Sequence, residues 1–168
     1  MLLGNKNPFA IELNLVPSVP LFGGIRFWFC DDWLGELKVP ILLGHIAEGL
    51  NAVRGSRRYR CRLAFLHDEE VPSFEALHRQ SHWSFGESFD DFAFVYFAVH
   101  ETRTVHWVWE ARAPILQKNP NYPARILRAS IPYDSYDAVV GEFLKTLSVP
   151  DDVEAGVTWS FDPRKSQP

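Results

Sequence analysis

FDDFAFVYFAVHETRTVHWVWEAR, residues 89–112, is the densest run of β-branched and aromatic residues in the chain, and its periodicity sets the fold class. It has the pattern of a hairpin. In the first arm Phe92, Phe94 and Tyr96 share one face of an extended chain, while Ala93, Val95, Phe97 and Val99 share the other. Both faces therefore need cover, and the arm is expected as a central strand. In the second arm Val105, Trp107, Trp109 and Ala111 form an apolar face; Thr104, His106, Glu110 and Arg112 dominate a face suited to water. The linking His100-Glu101-Thr102-Arg103 lacks the Gly or Asn of a tight primed turn, which predicts a longer loop. Phe94, Phe97 and Trp107 are the expected core.

On the N-terminal side, Phe9, Ile11, Leu13 and Leu15 alternate with Ala10, Glu12 and Asn14, the signature of a strand with one wet face. Pro17 and Pro20 end it, and after Gly23-Gly24 the run IRFWFC, residues 25–30, is a second strand paired with the first. Asp31-Asp32-Trp33-Leu34-Gly35 supplies turn residues. Pro40 then opens an expected helix over 40–54, with Leu42, Leu43, Ile46, Leu50 and Val53 at helical spacing and Gly55 as its stop. In RGSRRYRCRLAFLH, residues 54–67, Arg58, Arg60 and Arg62 share one face of a predicted strand. That basic face suits nucleic acid or, more simply, a solvated edge that repels other strands. Ser73 is placed to cap a short helix through His82.

Beyond the hairpin, residues 114–123 carry three prolines and are expected as a loop, and 124–131 as a short strand. A helix over 134–148 follows, capped by Asp134 or Ser135, with Tyr136, Val139, Val140, Phe143, Leu144 and Leu147 as its apolar stripe. Residues 157–161 are a possible edge strand. The chain is expected as a single domain over 1–162 with a flexible tail at 163–168.

Composition bounds the rest. At 168 residues, 46% hydrophobic and 14% aromatic, one domain can bury a real core. With 17 basic against 21 acidic residues the formal net charge is −4, a poor basis for non-specific nucleic-acid binding. The first residues lack the basic and apolar regions of a signal peptide, and no uncharged run approaches a membrane span. The expected compartment is the cytoplasm, where Cys30 and Cys61 would be reduced core or strand residues.

Residue patterns with catalytic potential are few. His78 and His82 stand four apart like a helical zinc pair, but Arg79 lies between them and the glutamate of the metalloprotease signature is missing. His100 and His106 flank the hairpin loop and are more simply surface histidines. Gly23-Gly24 leads into a strand, not the helix N-terminus of a phosphate loop. The expectation is therefore no enzyme, no cofactor and no metal. Three carboxylate clusters remain: Asp31-Asp32, Asp68-Glu69-Glu70 and Asp90-Asp91. Trp33 adjoins the first, and Trp83 shortly precedes the third. Acid around aromatic anchors is the composition of a protein-binding surface, so these nine residues form the candidate contact. Trp33 lies in a turn that needs no tryptophan for its geometry; the alternative is that it folds back over a sheet edge.

Gly4 ahead of Pro8-Phe9-Ala10-Ile11, Gly24 leading into an aromatic strand, Pro40 with its Leu-rich helix, and the strand-to-helix ending over 130–147 resemble the immunity proteins of bacterial polymorphic toxin systems, and specifically the immunity protein 42 family. The resemblance implies an antitoxin that binds one cognate toxin domain of a secreted effector and blocks its active site or substrate access, without catalysis. The other reading is a small enzyme or ligand-binding domain using the histidines and carboxylates. The expected fold is α+β: an antiparallel sheet of five to six strands centred on residues 92–99, with the two main helices on one face.

Overall fold

The computed structural model describes residues 1–17, 19, 21–54, 85–99 and 102–148, without the side chains of residues 97 and 99. The expected arginine strand, the 73–82 helix, the 157–161 strand and the tail lie outside the described residues. The described chain is α+β. Its order is β1 (Leu2–Asn5), β2 (Phe9–Leu15), β3 (Phe22–Phe29), β4 (Asp32–Leu34), β5 (Ile41–Leu42), α1 (Leu43–Arg54), a 3₁₀ turn (Glu87–Phe89), β6 (Phe92–Val99), β7 (Thr104–Ala111), α2 (Ala113–Lys118), β8 (Leu127–Pro132) and α3 (Tyr133–Thr146).

The strands form two antiparallel sheets. The five-stranded first sheet runs β1-β2-β3-β4, with β5 also pairing to β3; the second runs β6-β7-β8. The expected 9–16 and 25–30 pair is the β2–β3 hairpin, registered from Ala10↔Trp28 to Leu15↔Gly23. The 89–112 hairpin pairs from Phe92↔Ala111 to Val99↔Thr104, leaving residues 100–103 as the expected longer connection. Among the described residues β7 pairs with both β6 and β8, while the described partner of β6, the strand expected at the centre, is β7. Strand patterning reports burial on both faces, and Val95 and Val108 are indeed buried opposite the aromatic face, but burial does not say which neighbour carries the hydrogen bonds.

The two sheets meet through their aromatic faces. Trp107 stacks on Tyr96 at 4.4 Å and 13°, and its ring lies 5.2 Å from Phe27 and 5.3 Å from Phe29. Phe29 is 4.7 Å from Trp109, and Phe9 lies 5.8 Å from Tyr136 of α3. Leu43, Ile46, Ala47 and Leu50 of α1, and the whole predicted stripe of α3, are buried in the same core. The helices are tied to each other by Arg54 Nε to Asp137 Oδ1 at 2.7 Å and by the Tyr136 hydroxyl donating to the Leu50 carbonyl at 2.9 Å.

Three local expectations are corrected. The first helix starts at Leu43, not Pro40, because Ile41 and Leu42 pair with Gly23 and Phe22 first. Residues 113–118 are helical: Pro114 falls in the first turn, where a missing N–H costs nothing, and Ile115 is buried. The last helix has Pro132 at its cap position with no side-chain cap bond; Asp134 instead accepts from Arg103 Nη2 at 2.6 Å. Cys30 also departs from expectation. It lies just past β3 at φ 59 and is exposed, with Cys61 outside the described residues. Among the described residues, no helix is long and apolar enough to cross a membrane.

Candidate binding surface

The segments that carry two of the three acidic clusters are tied to each other. Residues 31–36 follow the β3–β4 turn, and residues 87–91 form the 3₁₀ turn that enters β6. Buried Ser88 clamps one to the other: its Oγ accepts from Glu36 N at 3.0 Å and donates to the Glu36 carbonyl at 2.8 Å. Gly35 makes the approach possible. Its φ is +98°, and a Cβ there would stand 2.7 Å from the Ile25 carbonyl oxygen and 2.9 Å from the Phe89 ring, so only glycine fits. From the end of α2, Lys118 Nζ reaches Glu36 Oε1 at 3.2 Å and Asp91 Oδ2 at 3.5 Å. The hydrogen bond to Glu36, then the charges of Glu36 and Asp91, hold its ammonium above the usual lysine range.

On this surface Asp31 and Asp90 are exposed, and Asp32 and Asp91 are half-buried. Asp68, Glu69, Glu70 and Trp83 lie outside the described residues. The carboxylates of Asp31, Asp32, Glu87 and Asp90 enter no ion pair among the described residues.

Trp33 is half-buried. Asp32–Leu34 is a strand, not an open turn, and Trp33 folds over the sheet edge, edge-on to Tyr122 at 4.7 Å and to Phe92 at 5.6 Å. Tyr122 ties this corner to the core: its oxygen accepts from Trp109 Nε1 at 2.9 Å, and its O–H donates to the Trp33 carbonyl. Burial, opposed by the Trp109 hydrogen bond, pushes the Tyr122 hydroxyl up to about 12.

The outer face of the first sheet carries residues that sequence reasoning missed. Trp28 and Trp33 are cross-strand partners, as are Glu12 and Arg26. Lys6 Nζ lies 3.3 Å from the Trp28 ring centroid, and Arg26 Cζ is 4.3 Å from that of Trp33 and 5.5 Å from that of Trp28. Trp28 Nε1 donates to Glu12 Oε2 at 2.8 Å. Partial burial draws the Arg26 guanidinium below its usual range, against the pull of Glu12 and Glu36. The period-two pattern of IRFWFC already put Arg26 and Trp28 opposite Phe27; that Arg26 lies over a neighbouring strand's tryptophan was not in the local pattern.

Elsewhere, His106 Nδ1 lies 2.9 Å from Ser130 Oγ across β7 and β8. Among the described residues no group of three or more His, Cys, Asp or Glu is arranged to hold a metal ion. His78 and His82 lie outside them. No family model, curated protein or solved structure matches this chain.

Proposed function

We propose that this chain is an immunity protein, a binding protein that captures a cognate protein toxin and blocks its active site or substrate access. The observation that carries this reading is that two acidic loops, 55 residues apart in sequence at Glu36 and Asp91, meet at Lys118, while the carboxylates of Asp31, Asp32, Glu87 and Asp90 in those loops enter no ion pair among the described residues. A dedicated clamp of Ser88, Gly35 and Lys118 holds like charges side by side. Acidic loops of this kind steer a basic partner toward a defined patch and speed its capture.

The test begins at the neighbouring gene, which this reading expects to encode a large secreted protein with a toxic C-terminal domain, and continues with co-expression of that domain and binding kinetics on the purified proteins. Wild type should protect the cells. A folded variant carrying Asp31→Asn, Asp32→Asn and Asp90→Asn should associate more slowly, and its association rate should depend less on salt. A wild-type chain that neither protects nor binds that domain overturns the reading.

A further inference from the structure

We propose that the centre of the toxin contact is the outer face of the first sheet, where Arg26 lies against the rings of Trp28 and Trp33 beside the Asp31-Asp32 turn. This inference rests on the immunity reading and names the surface and the chemistry of its partner. The three side chains share one face by register: Trp28 pairs with Trp33, and Arg26 lies two residues before Trp28 on the same strand. All three are half-buried, so each presents part of its surface to water. Trp and Arg are the residues most enriched where binding energy concentrates, and a charged rim around such a centre is the usual anatomy of a protein interface.

The stack is built before a partner arrives. Glu12 fixes the Trp28 indole through its N–H, Lys6 covers part of its ring, and Arg26 lies against Trp33. Little rotamer freedom is then left to lose on binding. The Arg26 guanidinium also has hydrogen-bonding capacity to spare. A guanidinium carries five N–H donors, and among the described residues Arg26 makes one hydrogen bond, from Nε to the Gly35 carbonyl at 3.4 Å. A half-buried cation whose remaining donors have no acceptor among the described residues suits a carbonyl or carboxylate from outside. The partner this face fits therefore has an apolar or aromatic centre offering an acceptor over Arg26, ringed by lysine or arginine that meets Asp31, Asp32 and Asp90. A basic protein surface has that chemistry.

The experiment uses the full chain and the purified C-terminal domain of the secreted protein that the immunity reading expects from the adjacent gene. Hydroxyl-radical footprinting of the wild-type chain should show oxidation of Trp28 falling several-fold when the domain is added. Trp28→Ala should raise the dissociation rate at least about tenfold with the association rate nearly unchanged. Arg26→Lys, which keeps the charge and loses the fork, should raise it by a smaller factor. The two ideas separate cleanly. If the domain binds but Trp28 oxidation is unchanged, this surface assignment is overturned and the immunity reading stands; footprinting needs no variant, so a misfolded mutant cannot mask the result. If the domain does not bind wild type at all, both fall together.

Discussion

Strand β3 carries two chemistries on its two faces. Ile25, Phe27 and Phe29 point into a core where Phe27 touches the rings of Phe85, Phe89 and Trp107 within 6.1 Å, and each is at most 3% exposed. Arg26 and Trp28, the residues between them, stack cation on ring at the protein's surface. Both faces are rich in aromatic contacts, yet they serve different ends. The inner rings exclude water from one another and so hold the fold; the outer rings are already capped by charges that water can solvate, and contribute far less to stability. Aromatic density alone does not distinguish a core from a contact surface; what lies against the ring does.

Truncating an inner ring should give the largest effect on stability. Phe27→Ala removes a ring at the centre of the cluster and should cost about 3–5 kcal/mol in urea unfolding. A loss below about 1 kcal/mol would mean the inner face is not the mechanical centre. Tyr122, which joins the inner core to the Trp33 corner, should fall between the two faces. Tyr122→Phe leaves the buried Trp109 N–H without its acceptor and should cost about 1–3 kcal/mol.

The same hydroxyl gives a pH test. Its folded value of about 12 lies above the roughly 10 of an unfolded tyrosine, so the folded state keeps a proton that the unfolded state has lost. The stability it contributes is complete below about pH 10 and is lost as pH rises toward 12. Burial moves the Tyr96 and Tyr136 hydroxyls in the same direction. Unfolding free energy should therefore fall on the alkaline side, and Tyr122→Phe should make that limb shallower; an unchanged limb would remove Tyr122 from it. The smallest change in stability is expected on the outer face. Trp28→Ala should cost about 1 kcal/mol or less, in the range of ordinary surface substitutions. A melt as damaged as that of Phe27→Ala would erase the contrast between the faces.

Much of the fold was legible. Periodicity of two placed β2, β3, β6 and β7 within a residue or a few, and the 3.6-residue spacing of Tyr136, Val139, Val140, Phe143, Leu144 and Leu147 placed α3 with every stripe residue buried. These patterns are local records of which side faces the core. The site was legible only in part. Asp31, Asp32, Asp90 and Asp91 were marked by their composition, but Glu36, Ser88, Tyr122 and Lys118, which hold them together, carry no such mark. Each acts on a residue 27 or more positions away, as Ser88 does on Glu36 and Lys118 on Asp91.

Sequence by itself determined which residues are dry and which are wet along β2, β3, β7 and α3, because burial repeats with the period of the secondary structure. Tertiary structure alone decided that β7 takes β6 and β8 as its neighbours, that the described strands divide into two sheets meeting across Trp107, and that Trp33 lies beside Tyr122 and Arg26. Strand order and cross-strand stacking depend on pairings between segments far apart in the chain, and the alternation of side chains along one strand is the same whichever neighbour it takes.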